Sequence, residues 1–302
     1  MRPESSQPEL IQLWHKNEQC PQGTIPIRRT PKHYNYHPNN PSLFHNKLVG
    51  AGNFTHEYAV ADAVLDENCY GGQASVSVWN PKTELTEFSL SQIWVGSQSQ
   101  QGSNTIEAGW TVNPRRYHDN MTRFFIYWTG DNYKSTGCYD LDCPGFVQTS
   151  RNFAIGSAIP GTSIYGGMPF DITITVYKDK KTGNWWLMVQ NLVVGYWPAS
   201  LFKGFADGAS RLTWGGEIIN RKSAGHHTTT EMGSGRFSSQ GYERSSYFRN
   251  VKFIDSSNTL RDPVDLIQYV SNPQCYDLQF MNNTGFGISF FYGGPGYSAR
   301  CP

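Results

Sequence analysis

Ile172-Thr-Ile-Thr-Val176, the polar run Lys178-Asp-Lys-Lys-Thr-Gly-Asn184 and the return at Trp185 carry the clearest structural signal in the chain. Ile172, Ile174 and Val176 alternate with Thr173 and Thr175, the period-two pattern of a strand with one buried face. The glycine-containing polar stretch reverses the chain and an apolar run follows, so the segment predicts a β-hairpin. Working outward, Ala74, Val76 and Val78 alternate with Ser75, Ser77 and Trp79, and extended patterns recur over 88–95, 106–112, 123–129, 212–219, 247–254 and 287–292. No stretch sustains an amphipathic helical repeat over three turns, and no repeat of fixed period is present. In the N-terminal part only 10–14 predicts a turn of helix and 24–27 a short extended piece. The pattern predicts an all-β chain: an antiparallel β-sandwich of two packed sheets with ten to fourteen strands.

Composition agrees and excludes several functions. The 302 residues hold 30 Gly, 17 Pro and 14% aromatic residues, a mixture suited to short strands joined by turns. With 25 basic against 24 acidic residues, there is no electrostatic case for nucleic acid or a membrane as partner. No apolar run approaches the roughly eighteen residues that would span a bilayer, so a soluble chain is expected.

Residues 1–46 are polar, carry seven prolines and hold four of the eight histidines. They predict an arm distinct from the domain at 47–302, either a solvated extension or a pro-segment lying on that domain and cut within 37–46. Six cysteines and the sequons at Asn53, Asn120 and Asn282 point to an extracellular glycoprotein. The first residues, Met1-Arg-Pro-Glu-Ser-Ser6, contain no apolar signal segment, so an upstream segment is expected to be missing.

Two strands carry an unexpected charge. Thr105-Ile-Glu-Ala-Gly-Trp110 and Trp214-Gly-Gly-Glu-Ile-Ile219 each place one glutamate among apolar residues and glycines, in a chain with only 16% charged residues. Strand parity puts Ile106, Ala108, Trp110 and Val112 on one face, with Glu107, Gly109 and Thr111 on the other. It likewise puts Leu212, Trp214, Gly216 and Ile218 opposite Thr213, Gly215 and Glu217. Both glutamates therefore leave the non-core face, each with a glycine two residues away that opens room for a peptide backbone. Facing carboxylates suit hydrolysis in which one group takes a proton from water and the other supplies one to the leaving group. Two close carboxylates would also share a proton in acid. Tyr127, on the polar side of 123–129, is a candidate donor to a developing oxyanion.

Other chemistries have less support. There is no Gly-x-Ser-x-Gly run and no His-Glu-x-x-His run, and the adjacent His226 and His227 would point to opposite faces of a strand. Neither a metal nor any cofactor is expected. A carbohydrate-active or carbohydrate-binding sandwich without peptidase activity is the alternative, because glycosidases also use paired carboxylates. Parity weakens it by placing Trp110 and Trp214 in the core.

The chain resembles the neprosin family of plant secreted proteins. The resemblance rests on Cys20-Pro-Gln-Gly-Thr-Ile-Pro-Ile-Arg-Arg-Thr30, Ile106-Glu-Ala-Gly-Trp110, Phe125-Ile-Tyr-Trp-Thr-Gly-Asp131 and Thr136-Gly-Cys-Tyr-Asp-Leu-Asp-Cys-Pro-Gly-Phe-Val-Gln148. It continues through Gly183-Asn-Trp-Trp-Leu187, Val194-Gly-Tyr-Trp-Pro198, Trp214-Gly-Gly-Glu217, Met232-Gly-Ser-Gly-Arg-Phe237 and Phe291-Tyr-Gly-Gly-Pro-Gly296. It implies a β-sandwich with a cleft across one sheet and a glutamic-type prolyl endopeptidase acting on proline-containing peptides. Glu107 and Glu217 would be catalytic; strand parity, not the resemblance, puts Gly109, Tyr127 and Gly215 against the substrate. It also implies a secreted zymogen whose N-terminal pro-segment acts as autoinhibitor and is removed in acid, with a longer upstream segment supplying a partner for Cys20. A monomer is expected. Of the remaining cysteines, Cys138 with Cys143 and Cys275 with Cys301 are the expected disulfides, leaving Cys69 as a buried thiol or alternative partner.

Overall fold

The structure, a computed structural model, describes residues 12–16, 20–29, 54–99, 102–222, 225–281 and 284–302. The proposed cut region at 37–46 and the sequons at Asn53 and Asn282 lie outside the described residues, whereas Asn120 is exposed. Sixteen strands form among the described residues, more than the ten to fourteen expected. The first eight are β1 (Thr55–Val64), β2 (Gly71–Ser77), β3 (Ser89–Ser99), β4 (Gly102–Val112), β5 (Arg123–Thr129), β6 (Cys138–Tyr139), β7 (Val147–Gln148) and β8 (Asp171–Lys178). The rest are β9 (Trp185–Val189), β10 (Leu192–Trp197), β11 (Arg211–Asn220), β12 (Ser246–Ile254), β13 (Leu260–Arg261), β14 (Asp265–Val270), β15 (Asp277–Phe280) and β16 (Phe290–Gly293).

They assemble into two antiparallel sheets. One has seven strands in the order β14-β1-β11-β3-β4-β5-β6, and the other runs β15-β16-β12-β2-β8-β9-β10-β7 with β13 beside β12. The hairpin read from 172–185 is β8 paired with β9, from Ile174 opposite Val189 to Lys178 opposite Trp185. Gly183 takes φ +74° in its turn, a left-handed conformation that glycine adopts without a steric penalty.

Alternation correctly separates the faces. Ile106, Ala108 and Trp110 of β4, Leu212, Trp214 and Ile218 of β11, and Ile172, Ile174 and Val176 of β8 join one core between the sheets. Trp110 and Trp214 are fully buried there, and the Trp110 indole donates to the Ser77 carbonyl at 3.0 Å. Other expectations need correction. Val78 lies beyond the end of β2, residues 287–289 precede β16, and 24–27 forms no strand. The N-terminal helical turn is a 3-10 helix at Leu13–Lys16, and the first residues of the expected turn, 10 and 11, lie outside the described residues.

The described part of the N-terminal arm packs against the domain. The Gln12 side chain is fully buried and bonds one residue twice, donating to the Ala154 carbonyl at 3.0 Å and accepting from the Ala154 amide at 2.6 Å. Arg28 stands 4.9 Å over the Tyr117 ring. Both anticipated disulfides are present, Cys138–Cys143 and Cys275–Cys301. Cys69 is a buried free thiol pushed up to about 11, mainly by burial.

At one end of the sandwich, Glu57 of β1 and His227 form a buried pair. His227 Nε2 lies 3.0 and 3.1 Å from the two Glu57 oxygens, its Nδ1 lies 2.9 Å from the Thr228 carbonyl, and Asn220 also donates to Glu57. With an acceptor at each ring nitrogen, the imidazolium is the form that fits. Burial alone would raise the Glu57 carboxyl, but the donors and the His227 charge outweigh it and hold it below its ordinary value. Burial alone would lower the His227 imidazole, but Glu57 and the Thr228 carbonyl hold it up.

Glu57 contributes stability above about pH 4.3, its unfolded value, and loses it as pH falls through its lowered folded value. His227 contributes fully below about pH 6.5 and loses it as pH rises through its raised folded value. The pair is therefore fully stabilising in mildly acidic solution, and His227→Gln should flatten the alkaline side of a stability profile measured by urea unfolding at a series of pH values. Gly215 has φ +151°, and a Cβ there would sit 2.3 Å from the Ala59 carbonyl oxygen. Gly215→Ala should cost at least about 1–3 kcal/mol in the same assay.

Candidate active site

Glu107 and Glu217 both project from the outer face of the seven-stranded sheet, as parity requires, but that face is not solvated around them. Glu107 is 1% exposed and Glu217 is 0% exposed, among Phe88, Leu90, Phe125, Tyr127 and Ile219, which form a second apolar cluster. Buried carboxylates need donors in place of water, and the local strands supply them.

The register shows how they are placed. Glu107 of β4 lies opposite Trp94 of β3, and Glu217 of β11 lies opposite Leu90, so β3 runs between the two glutamates. Midway along β3, Gln92 is flanked by Gly215 on β11 and Gly109 on β4. A cross-strand row of glycine, glutamine and glycine therefore separates the rung of one carboxylate from that of the other. The space beside these glycines is not open, as parity alone suggested. A Cβ on Gly109 would lie 2.0 Å from the Ser91 carbonyl oxygen, and one on Gly215 would meet the backbone of β1. The glycines serve close approach of neighbouring strands.

Around Glu107, the Gln92 amide donates at 2.9 Å, Thr105 Oγ1 at 3.1 Å and the Tyr133 hydroxyl at 2.7 Å. Tyr133 reaches it from a tight loop in which Asn132 and Tyr133 take φ of +61° and +59°. Non-glycine residues adopt that conformation only when their surroundings enforce it. Here Asp131 enforces it by accepting from the backbone amides of Lys134, Ser135 and Thr136 and from the hydroxyls of Ser135 and Thr136. Burial opposes its charge, but these donors outweigh that and hold its carboxyl well below the usual range. Tyr127, the sequence candidate for an oxyanion donor, lies opposite Glu107 in register and is 3% exposed, packed 4.6 Å from Tyr139 and 5.8 Å from Tyr133.

Glu217 has a different neighbour. His56 Nδ1 of β1 lies 2.5 Å from its Oε1. A groove of about 810 Å³ runs over this face, lined by His56, Tyr58 and Val60 along β1 and by Thr105, Asn132 and Tyr133 towards β4. Trp94, Thr213, Arg211 and Tyr269 complete much of its wall. At one side the groove thus meets a partner of Glu217, and at another it meets two partners of Glu107. Arg211 is tied to Asp62 by two contacts of 3.1 Å.

Gln92, His56, Thr105 and Tyr133 were not singled out from sequence. Gln92 carried a usable signal, being a polar residue at an outer-face position within the apolar 88–95 strand. Tyr133 carried none, because its aim depends on the Asp131 loop. Among the described residues, the His, Cys, Asp and Glu side chains that could meet at one ion are His227, Cys275 and Cys301. The two sulfurs there are joined to each other.

Comparison with solved structures gives distant overlaps. Scytalido-glutamic peptidase with a peptide-based transition-state analogue matches with a TM-score of 0.43 at 8% identity, over 80% of this chain and 100% of that one. SCP-B, a member of the eqolisin family of peptidases in complex with the tripeptide Ala-Ile-His, matches with a TM-score of 0.38 at 7% identity, over 81% and 98%. Neither overlap is close enough to carry chemistry from one site to the other. The family model of Neprosin, by contrast, matches residues 85–295, most of the chain including both glutamate strands, and the chain belongs to the Neprosin family, a membership that supports a peptidase.

Proposed function

We propose that the protein is a secreted glutamic-type endopeptidase that hydrolyses the bond after proline in acid, using Glu107 and Glu217 without a metal. The observation that carries this reading is the groove, which joins His56, the neighbour of Glu217, to Thr105 and Tyr133, the donors to Glu107. A peptide in it runs past the partners of both carboxylates. One glutamate takes a proton from the attacking water, while the other polarises the carbonyl and then protonates the departing nitrogen. No covalent intermediate forms. Gly109 and Gly215 let the strands that carry the carboxylates pack closely, and Tyr127 backs the Tyr133 ring as part of the substrate side.

The groups around Glu107 suit a residue that changes protonation state during turnover. An amide and two hydroxyls each carry both donor and acceptor capacity, so each can face a carboxylate or a carboxylic acid. Proline preference and secretion come with the family reading, and the two disulfides accord with an oxidising compartment. Residues 1–46 act as a pro-segment in this reading, consistent with the docking of Gln12 and Arg28 on the domain at 47–302. The mature enzyme is a monomer carrying glycans at Asn53, Asn120 and Asn282.

Acidified protein incubated with a proline-rich protein should yield peptides ending in proline by mass spectrometry, with yields unchanged by a chelator. Glu107→Gln and Glu217→Gln should each reduce kcat/KM on a proline-containing peptide by at least about 100-fold. Near-normal turnover in either variant overturns the assignment. Products from a glucan but not from the protein would select the carbohydrate reading.

A further inference from the structure

We infer that His56 is a positioning residue of this site, its imidazolium holding Glu217 as an ionised and oriented carboxylate at the edge of the groove. The inference rests on the two-glutamate reading and adds a residue to it. His56 lies on β1 and Glu217 on the neighbouring β11, diagonal to one another because His56 pairs with Ile219 and Tyr58 pairs with Glu217. Their side chains share the outer face and meet at 2.5 Å between Nδ1 and Oε1. The histidine side chain is 13% exposed and the glutamate 0%.

The ring has little freedom to be elsewhere. It stacks on Tyr58 with centroids 6.4 Å apart and meets the edge of Phe54 at 5.8 Å and the Phe88 ring at 6.1 Å. This three-sided aromatic seat fixes the direction of Nδ1. The titratable groups it meets are Glu217 on β11 and Tyr58 on its own strand, and beyond the Phe54 ring that edges it stands the Arg221 guanidinium, 5.1 Å from that ring. β3 presents the apolar Phe88.

The other nitrogen points the inference towards a ligand. His56 Nε2 is buried and meets no hydrogen-bond partner among the described residues, although the residue lines the groove. A buried polar atom without a partner is unfavourable, and a water or a peptide group in the groove can satisfy it. An ordinary imidazole is protonated in acid, so Nδ1–H faces the carboxylate while Nε2–H remains for the groove's occupant. A cation in contact with a carboxylate favours its ionised form, the form a proton acceptor needs.

The test compares pH profiles of kcat on a proline-containing peptide for wild type and His56→Asn, which retains a donor near the Nδ1 position but removes the charge. The kcat should fall about tenfold, and its acid limb should move to higher pH by about one unit, because Glu217 has lost its neighbouring cation. A side chain that only filled space would leave that limb in place, and an unmoved limb overturns the inference. A second measurement does not depend on the folding of a His56 variant. Proton NMR of the wild type in acid should show a downfield His56 Nδ1–H resonance, from its 2.5 Å contact with the Glu217 carboxylate, that Glu217→Gln removes, and the same resonance in both proteins also overturns it. Full activity of Glu217→Gln overturns the two-glutamate reading and this inference together, whereas an inactive Glu217→Gln with an unmoved His56→Asn limb overturns this inference alone.

Discussion

Burying a carboxylate in a protein costs several kcal/mol unless donors or a cation replace the lost water, and one face of this sandwich meets that demand twice. Glu107 is met by an amide and two hydroxyls, and Glu217 by an imidazole. The donors to Glu107 come from β3, β4 and the loop after β5, and the partner of Glu217 comes from β1, so four parts of the chain must be in place before both glutamates are compensated. The strained left-handed turn at Asn132 and Tyr133 belongs to the same demand, because it carries a hydroxyl to Glu107 and is held by the hydrogen bonds converging on Asp131.

Much of the architecture was legible wherever one face of a strand is apolar. β5 was read at its observed bounds, the hairpin of β8 and β9 fell where alternation put it, and parity separated Trp110 and Trp214 from the glutamates. β1 was not legible, because Thr-His-Glu-Tyr-Ala-Val-Ala-Asp-Ala-Val carries polar residues on both faces. His56 and Tyr58 line the groove, while Glu57 is buried on the opposite face. The same cause hid β14, an edge strand with Ile267 and Tyr269 exposed. Strands that serve a site lose the clean alternation by which strands are recognised.

The candidate site divides along the same line. The carboxylates could be found from sequence because a charge among apolar neighbours is conspicuous. Their partners could not, because the contact between His56 and Glu217 is set by the pairing of β1 with β11, and that of Gln92 with Glu107 by the pairing of β3 with β4. The glycines were found for a partly mistaken reason: their side-chain positions are filled by neighbouring backbone rather than open to substrate. What looked like room for a ligand is the condition for packing the strands that carry the ligand's site.

The order of strands in the seven-stranded sheet has a temporal consequence. β11 inserts between β1 and β3, although more than a hundred residues of chain separate it from each. Contacts so distant in sequence are entropically expensive to close and form slowly. A chain that has built the β3–β4 hairpin holds Glu107 and Gln92, but it has neither Glu217 nor the strand pair that seats His56 beside it. On the proposed two-glutamate reading the site is complete only once β11 has entered between β1 and β3, and a chain folded short of that step is not equipped to cut its neighbours.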